Sequence, residues 1–281
     1  MASIRYIFAS VVVFAAFLTA AYACTGSTIA AFNIQVLGQS KMGKPEVVDY
    51  LKQIIAQYDL VLIQEIRDVA GTAIVELLDA VNSQPGSNFK MTLGPRVGRS
   101  SSKEQYAYFY REDKFQALDS FSYDDQTDGF EREPFVVLFE NLDKGAAVSK
   151  FSIIGLHSKP TDAVNEVDLL VDVYAASKKR FGVEDSILMG DFNADCSYLT
   201  RTEFETVRLW TDTSFQWLIP SSADTTVKST DCAYDRIVLA GQNLIANSKD
   251  AGIFNYHERY GITTDLAEDI SDHYPVYFTI N

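Results

Sequence analysis

The feature that most constrains the fold of this chain is a run of apolar residues that ends in oxygen-rich side chains. Residues 187–190 read Ile-Leu-Met-Gly, and Asp191, Asn193 and Asp195 follow directly. Such a run is typical of a buried strand, and α/β proteins place their chemistry at the carboxyl ends of buried strands. A single Asp-Phe-Asn sequence is more often an ordinary turn, so the argument depends on whether the pattern recurs.

The pattern does recur at other apolar runs. Residues 60–63 end in Gln64 and Glu65, residues 151–156 end in His157, and Asp272 and His273 precede the last apolar run. Repetition of this kind is improbable by chance. Carboxylates, an amide and imidazoles at strand ends indicate one pocket for metal-assisted attack on a phosphate ester.

The order of predicted elements favours an α/β sandwich. Strand patterns occur at 29–35, 59–65, 105–111, 115–123, 135–139, 148–157, 186–191, 215–219, 235–239 and 274–280, and helical spacing at 45–58, 73–81 and 163–179. So many strands fit a single doubly wound sheet poorly. Two packed mixed sheets flanked by helices fit better, in one domain, because no linker or repeat divides the chain.

The first residues are predicted to be a secretory signal peptide, residues 1–23. Arg5 supplies a basic start, residues 7–18 are almost all apolar, and Ala21-Tyr-Ala23 resembles a cleavage site. Residues 24–281 would then be a single secreted, extracellular domain. No later segment is apolar enough to cross a membrane, so a membrane partner is not expected.

The net charge argues against indiscriminate binding of polyanions. The formal charge is −14, whereas phosphate contacts need Lys and Arg. A local cluster of basic residues can still occur in a protein whose net charge is negative, so the net charge does not exclude DNA binding.

The chain has three cysteines. Cys196 and Cys232 each lie beside a candidate catalytic segment, and in an oxidising compartment they are expected to form a disulfide. Three fates stay open for Cys24: it is the first mature residue, it is removed with the signal, or it stays free.

The residue types suggest how phosphodiester hydrolysis would be divided among them. Glu65 and Asp272 are hard oxygen ligands that suit Mg²⁺ (or Mn²⁺), with Asn33 as a neutral partner. Asp191 would position the attacking water, and Asn193 would donate its amide to the phosphate.

Two histidines are candidates for proton transfer near neutral pH. His157 and His273 need carboxylates that orient them and raise their pKa, and Glu104 and Asp235 are the candidate partners on predicted strands. A zinc enzyme is disfavoured because no H-E-x-x-H or paired C-x-x-C occurs, and a serine hydrolase because no G-x-S-x-G occurs.

Several strings resemble the secreted deoxyribonuclease I family, in its order and over nearly the whole mature chain. They are Ala-Phe-Asn33-Ile, Leu-Ile-Gln-Glu65, Leu-His157-Ser, Met-Gly-Asp191-Phe-Asn193-Ala-Asp-Cys196-Ser-Tyr, Phe-Gln-Trp-Leu-Ile-Pro, Ser-Ala-Asp224-Thr-Thr, Cys232-Ala-Tyr-Asp235-Arg and Ser-Asp272-His273-Tyr-Pro. Ser-Asp-His is shared with the wider endonuclease/exonuclease/phosphatase superfamily. The strings at 191–198 and 215–235 are specific to the deoxyribonuclease I branch.

The resemblance implies a four-layer α/β sandwich and metal-dependent endonucleolysis of DNA that leaves 5′-phosphate ends. It pairs His157 with Glu104 and His273 with Asp235. It also implies DNA contacts by arginines at positions 67, 99 and 132 (Arg67, Arg99, Arg132), mainly to the backbone of double-stranded DNA, with little sequence specificity. The enzyme is expected to act as a monomer.

The resemblance further implies structural calcium in two loops. The predicted ligands are Asp125, Asp128, Phe130 and Glu133 in the first loop and Asp224 and Thr226 in the second. The first loop lacks the cysteines that vertebrate members often carry, and the second places Lys228 beside the ion. Ser102 replaces a Tyr that stacks in the minor groove in the family. Met91 and Leu93 do not match the actin contacts of some members, so actin binding is not predicted.

Two rival functions fit the sequence less well. A sphingomyelinase-type phosphodiesterase of the same superfamily would need an exposed apolar docking loop, which the sequence does not indicate. A non-catalytic binding protein would be expected to have lost a catalytic residue, and every mapped position is intact.

Overall fold

The computed structural model describes residues 26–281, which form two mixed six-stranded sheets packed face to face with helices on both outer surfaces. The strands are β1 (Ser27–Leu37), β2 (Leu60–Ile66), β3 (Phe89–Leu93), β4 (Gln105–Arg111), β5 (Phe115–Ser122), β6 (Phe135–Asn141), β7 (Lys150–Gly155), β8 (Ser186–Asp191), β9 (Phe215–Trp217), β10 (Asp235–Ala240), β11 (Ser248–Ile253) and β12 (Val276–Ile280). The α-helices are α1 (Gln39–Met42), α2 (Pro45–Ile55), α3 (Ala73–Asn82), α4 (Ala163–Phe181), α5 (Arg201–Phe204), α6 (Arg208–Thr211), α7 (Gln242–Ala246), α8 (Tyr256–Tyr260) and α9 (Thr264–Ile270), and a 3₁₀ turn spans Pro160–Asp162.

Each sheet has one parallel pair at its centre. The first sheet has the order β11-β12-β1-β2-β4-β3, and the second β5-β6-β7-β8-β10-β9. β1 and β2 are parallel in the first sheet, and β7 and β8 in the second, whereas the other neighbours are antiparallel. The carboxyl ends of these four central strands carry the polar residues that the sequence singled out.

Three apolar layers explain why the strands show little alternation of apolar and polar residues. The inner faces of both sheets pack on each other around Tyr108, whose hydroxyl donates to the Phe135 carbonyl oxygen at 2.9 Å. The outer face of the first sheet packs on α2, α3 and α9, and that of the second on α4, α5 and α6. Strands β2, β8 and β10 are buried along their whole length. Their continuous apolar runs follow from burial on both faces.

The predicted α/β sandwich of two packed mixed sheets flanked by helices is confirmed. Strand β11 was not predicted, because Ser-Lys-Asp-Ala-Gly-Ile has no apolar alternation and pairs only at a sheet edge. Glu104 was placed on a strand, but it lies just before β4 in an isolated bridge with Val97. The predicted signal peptide and Cys24 lie outside the described residues. In residues 26–281, no helix has the length and apolar character needed to cross a bilayer.

The expected disulfide is present between Cys196 and Cys232, with the two Cα atoms 5.9 Å apart. It joins the loop after β8 to the segment before β10. By the chain-entropy model, closing a loop of 36 positions contributes about 3–4 kcal/mol to the free energy of unfolding. Both joined segments lead into the candidate site.

Candidate active site

The two sheets are linked at their strand ends by a buried amide. Gln64, on β2, donates from Nε2 to the Leu156 carbonyl oxygen at 2.8 Å and accepts from the Asp191 backbone N–H at 2.9 Å. Gly190 makes this close approach possible. Its φ is +135°, and a Cβ there would collide with the Leu156 carbonyl and the Gln64 side chain. Sequence reasoning missed both roles.

Asp191 lies at the centre of the cleft that the strand ends form. Its Oδ2 accepts from Asn33 Nδ2 at 3.1 Å and lies 3.5 Å from His157 Nε2 and 3.6 Å from His273 Nε2. The Asp191 side chain is only 3% exposed. A single carboxylate oxygen therefore faces two imidazoles.

The first imidazole is paired with Glu104. His157 Nδ1 and Glu104 Oε2 lie 2.8 Å apart. Arg67 Nη2 lies 2.9 Å from Glu104 Oε1, and Arg132 Nε lies 3.2 Å from Oε2. Burial acts to raise the pKa of Glu104, but the hydrogen bond to His157 and the charges of His157, Arg132 and Arg67 lower it to about 2. Glu104 is therefore a carboxylate at any physiological pH.

The position of His157 is also fixed through its main chain. The Tyr106 hydroxyl accepts from the His157 backbone N–H at 2.9 Å, and Arg132 Nη1 donates to the His157 carbonyl oxygen at 3.2 Å. Burial opposes the charged imidazole, yet the Glu104 hydrogen bond and the Asp191 charge leave the pKa of His157 raised.

The second imidazole is paired with Asp235. His273 Nδ1 and Asp235 Oδ2 lie 2.7 Å apart. Thr225 Oγ1 accepts from the Asp235 backbone N–H at 3.1 Å, whereas Asp235 Oδ1 is buried without a hydrogen-bond partner. Burial acts to lower the pKa of His273, but Asp235 and Asp191 raise it to about 10. Ser271 Oγ accepts from the His273 backbone N–H at 3.1 Å and orients the ring.

The predicted metal ligands border the same cleft. Glu65 has a left-handed φ of 59°, and its Oε1 accepts from Asn33 Nδ2 at 3.2 Å while Oε2 accepts from the Val36 backbone N–H at 2.9 Å. Asn33 thus presents its amide nitrogen to the carboxylates, and its oxygen accepts from the Gln35 backbone N–H. Asp272 Oδ1 is buried without a hydrogen-bond partner, 3.7 Å from His273 Nε2.

A half-buried lysine, not predicted from the sequence, lies near these carboxylates. Lys41 Nζ donates to the carbonyl oxygens of Ile34 and Ile270, each at 2.7 Å. Burial lowers the pKa of Lys41 to about 8, against the opposing charges of Asp272 and Glu65. Its ammonium group joins β1 to the end of α9 and offsets part of the negative charge.

Asp191, Asp235 and His273 also converge closely enough to hold a cation, with one ligand atom each inside 4.8 Å. The short distance between Asp235 and His273 is already a hydrogen bond, however, and the raised pKa of His273 favours its protonated form. Glu65 and Asp272 are not hydrogen-bonded to a histidine ring in the described part of the chain, and they are the better oxygen ligands for a hard cation, although Glu65 Oε2 also lies 3.2 Å from Arg67 Nη2.

Of the predicted phosphate contacts, Arg67 and Arg132 reach the cleft and Arg99 is held elsewhere. Arg99 Nε lies 2.9 Å from Asp128 Oδ1, and its Nη2 also contacts the Asp128 carbonyl oxygen. Asn193, at a left-handed φ of 47°, donates from Nδ2 to the Ser158 carbonyl oxygen at 3.1 Å. It therefore braces the cleft wall.

The two predicted calcium loops are closed by hydrogen bonds of their own. Asp125 Oδ2 accepts from the Phe130 backbone N–H at 2.8 Å, whereas Asp128 is paired with Arg99. In the second loop, Asp224 Oδ1 accepts from Thr226 Oγ1 at 2.8 Å. Among residues 26–281, the acidic groups of either loop do not converge as Asp191, Asp235 and His273 do. The pairing of Asp128 with a cationic side chain fits poorly with a calcium ligand at that position.

The fold and the site define a class of hydrolases that attack phosphoesters, and the comparison with family models agrees. The model of the Endonuclease/Exonuclease/phosphatase family matches residues 30–273. Solved structures share this fold at low sequence identity. Humanized D. rerio TDP2 has a TM-score of 0.63 at 16% identity, covering 91% of this chain and 99% of that one. A Bacteroides vulgatus endonuclease/exonuclease/phosphatase has a TM-score of 0.63 at 18% identity, covering 92% and 99%.

Curated relatives place the chain more narrowly. It is 46% identical to Deoxyribonuclease-1 of Homo sapiens over 255 residues, covering 88% of this chain and 90% of the human protein. Identity to Deoxyribonuclease-1 of Oryctolagus cuniculus is also 46%, over 261 residues and 90% and 92% of the two chains. The chain therefore belongs to the deoxyribonuclease I family of nucleases.

Proposed function

We propose that this chain is a secreted endonuclease that uses a divalent cation to hydrolyse DNA phosphodiester bonds, leaving 5′-phosphate ends. The observation that carries the proposal is the arrangement around Asp191. Two imidazoles, each backed by its own carboxylate, face one central carboxylate at 3.5 and 3.6 Å. Such a site offers a proton acceptor and a proton donor on either side of a phosphate, as hydrolysis requires.

The proton transfers are assigned to the two histidine–carboxylate pairs. Glu104 and Asp235 hold the Nδ1 sides of the rings at 2.8 and 2.7 Å, so each Nε2 is directed toward Asp191. One imidazole accepts a proton from a water molecule positioned by Asp191, while the other donates a proton to the leaving 3′ oxygen.

Glu65 and Asp272 would hold Mg²⁺ or Mn²⁺, and Asn33, predicted as a neutral partner, would orient Glu65 through the hydrogen bond from its Nδ2 to Oε1 at 3.2 Å. The fit rests on Asp272 Oδ1, a buried oxygen without a hydrogen-bond partner in the described part of the chain. A bound cation supplies Lewis-acid stabilisation of the charge that develops on the phosphate.

Substrate binding is assigned to a small basic rim. The side chains of Arg67 and Arg132 are 33% and 14% exposed beside Glu104, and they would contact backbone phosphates near the cleaved bond. Contacts to the backbone position the duplex without reading its sequence. The proposed substrate is therefore double-stranded DNA with little sequence preference, bound by a monomer.

Secretion is proposed from the predicted leader, residues 1–23, together with the disulfide between Cys196 and Cys232, which is typical of oxidising compartments. Residues 24–281 would be a single catalytic domain. Calcium in the loop of Asp224 and Thr226 remains part of the proposal, since the hydrogen bond from Thr226 Oγ1 to Asp224 Oδ1 at 2.8 Å holds the two oxygens side by side.

A plasmid-nicking assay tests the proposal. Mature protein should convert supercoiled DNA to the relaxed form with Mg²⁺ or Mn²⁺, lose that activity in EDTA, and regain it when Mg²⁺ is restored. The cleaved ends should be ligatable without added kinase, because they carry 5′-phosphates. His257→Ala serves as a control, since the side chain of His257, on α8, makes no hydrogen bond or ion pair with a cleft residue in the described part of the chain. Nicking that persists in EDTA would overturn the cation requirement, and a lack of nicking with every metal would overturn the function.

A further inference from the structure

A buried carboxyl group on α4 has no part in the chemistry described above. Glu166 lies in the first turn of that helix and is 0% exposed. Its Oε1 accepts from the Glu131 backbone N–H at 3.0 Å, and the Lys159 backbone N–H, close to the same carboxylate, acts with it to lower the pKa of the carboxyl group. Its Oε2 is buried without a hydrogen-bond partner. A buried carboxyl group is costly unless it is well paired, so this one needs an explanation.

The two backbone groups that Glu166 holds belong to segments that meet at the cleft. Glu131 immediately precedes Arg132, and Lys159 follows His157 by two positions. Arg132 is the side chain that contacts both Glu104 and the His157 carbonyl oxygen, each at 3.2 Å. Glu166 therefore contacts the backbone of the same two segments, Glu131–Arg132 and His157–Lys159, that the Arg132 side chain joins in the cleft.

We propose that Glu166 is a positioning residue, whose ionised carboxylate holds the Glu131–Arg132 segment against the His157–Lys159 segment and keeps the Arg132 guanidinium between Glu104 and His157. The inference deepens the proposed function, because it concerns the same acid–base pair. Hydrogen bonds from backbone N–H groups to an ionised carboxylate are about twice as strong as those to a neutral oxygen. Loss of the charge would therefore loosen both segments.

The charge on Glu166 depends on pH in the neutral range. Burial raises the pKa of Glu166 to about 7, against the lowering effects of the two N–H donors and Arg132. The charged or titratable groups that face it from the elements packed around it are Asp162, Lys159, Glu131, Arg132 and Tyr106. Below neutral pH the group is protonated, and above it the group is a carboxylate.

The substitution Glu166→Gln tests this role, because glutamine keeps the shape and one acceptor oxygen but carries no charge. Cleavage of a duplex oligonucleotide is measured across pH for this variant and the native protein. At about pH 5.5 the two proteins should have equal kcat, because Glu166 is then protonated and position 166 is uncharged in both. At about pH 8.5 the native carboxylate is ionised, and the variant should be slower by about tenfold, the scale of a small misplacement of catalytic groups. A reduction by one constant factor at all pH values would indicate packing alone and would overturn the proposal.

Ser177→Ala is the matched control. Ser177 is buried on the same helix and donates to Ser152 Oγ at 2.9 Å, in a hydrogen-bonded group of serines remote from Arg132. Its loss should change thermal stability without changing the pH profile. The native protein is assayed in parallel, so that absence of cleavage in all samples counts against the proposed function alone.

Histidine titration by NMR gives a readout that does not depend on activity. The chain has three histidines, so their ring signals are separable. Arg132 lowers the pKa of His157, and a loosened Arg132 should let that pKa rise in Glu166→Gln while the pKa of His273 stays unchanged. An unchanged His157 pKa would overturn the positioning role even if DNA cleavage had never been observed.

Discussion

The two histidine–carboxylate pairs have similar geometry but different surroundings. His157 and His273 lie 2.8 and 2.7 Å from their carboxylates. Glu104 is contacted by two guanidinium groups, and its pKa falls to about 2. Asp235 has no such contact in the described part of the chain, one of its oxygens is unpartnered, and burial raises its pKa.

The difference shows that similar catalytic geometry can rest on different electrostatic support. Arginines stabilise the charge of Glu104, and these same arginines are the proposed phosphate contacts. The charge of Asp235 depends on His273 itself, whose pKa reaches about 10 in return. The His157–Glu104 pair is therefore coupled to the proposed binding of phosphate, whereas the charges of the His273–Asp235 pair depend mainly on each other.

The largest expected effect is on catalysis, where the pairs should be equivalent. His157→Ala and His273→Ala should each lower kcat/KM for duplex DNA by about 10²–10⁴-fold, because each removes one proton transfer from the same reaction. Steady-state cleavage of a labelled oligonucleotide measures this. A variant that keeps more than about a tenth of the native rate would show that its pair is not part of the chemistry.

The free energy of unfolding should respond differently to substitutions in the two pairs. Glu104→Gln leaves two arginines beside an uncharged amide, and it should lower the free energy of unfolding by about 2–4 kcal/mol; the range is discounted because Arg67 is partly exposed. Asp235→Asn should cost less, about 1 kcal/mol, because burial makes the charge of Asp235 itself unfavourable and offsets much of the gain from its pair with His273. Denaturant unfolding with the disulfide intact gives both values. Equal losses would remove the electrostatic distinction.

The pH dependence of stability sharpens the same contrast. The pKa of Glu104 falls from its ordinary 4.5 to about 2, so its contribution is complete above pH 4.5 and is lost as the pH falls toward 2. The pKa of His273 rises from 6.5 to about 10, so its contribution is complete below pH 6.5 and is lost as the pH rises toward 10. In the profile of unfolding free energy against pH, Glu104→Gln should therefore remove the change seen at acid pH, and Asp235→Asn should remove the change seen at alkaline pH. A Glu104→Gln profile parallel to the native one at acid pH would contradict this assignment.

The smallest expected effect concerns salt. Arg67→Ala and Arg132→Ala should each flatten the dependence of log KM on log salt by about 0.9, the value for one lost phosphate contact. Arg99→Ala should change it less, because Asp128 already holds that guanidinium. Arg180→Ala, which removes an arginine paired with Asp119 on the far side of the second sheet, is the control. A change in slope for Arg180→Ala as large as for Arg132→Ala would show that the effect reflects net charge.

The sequence predicted the sandwich and the convergence of its strand ends, because apolar runs and the polar residues after them are local patterns. Gln64 and Glu166 were missed as positioning groups, since their partners lie far away in the chain. The pairing of Arg99 with Asp128 also depends on two distant loops. Residue type alone suggested a DNA contact and a calcium ligand there, and it could not indicate that the two side chains would bind each other.

Each histidine–carboxylate pair takes one member from each half of the sandwich. Glu104 precedes β4 of the first sheet and His157 follows β7 of the second, whereas His273 precedes β12 of the first and Asp235 begins β10 of the second. Sliding one layer past the other by an ångström would thus break both proton relays together. The apolar side chains between the sheets never contact substrate, yet they set the alignment of the two sheets and of the proposed catalytic groups. Close packing of this interior therefore matters for the rate of the reaction as well as for stability.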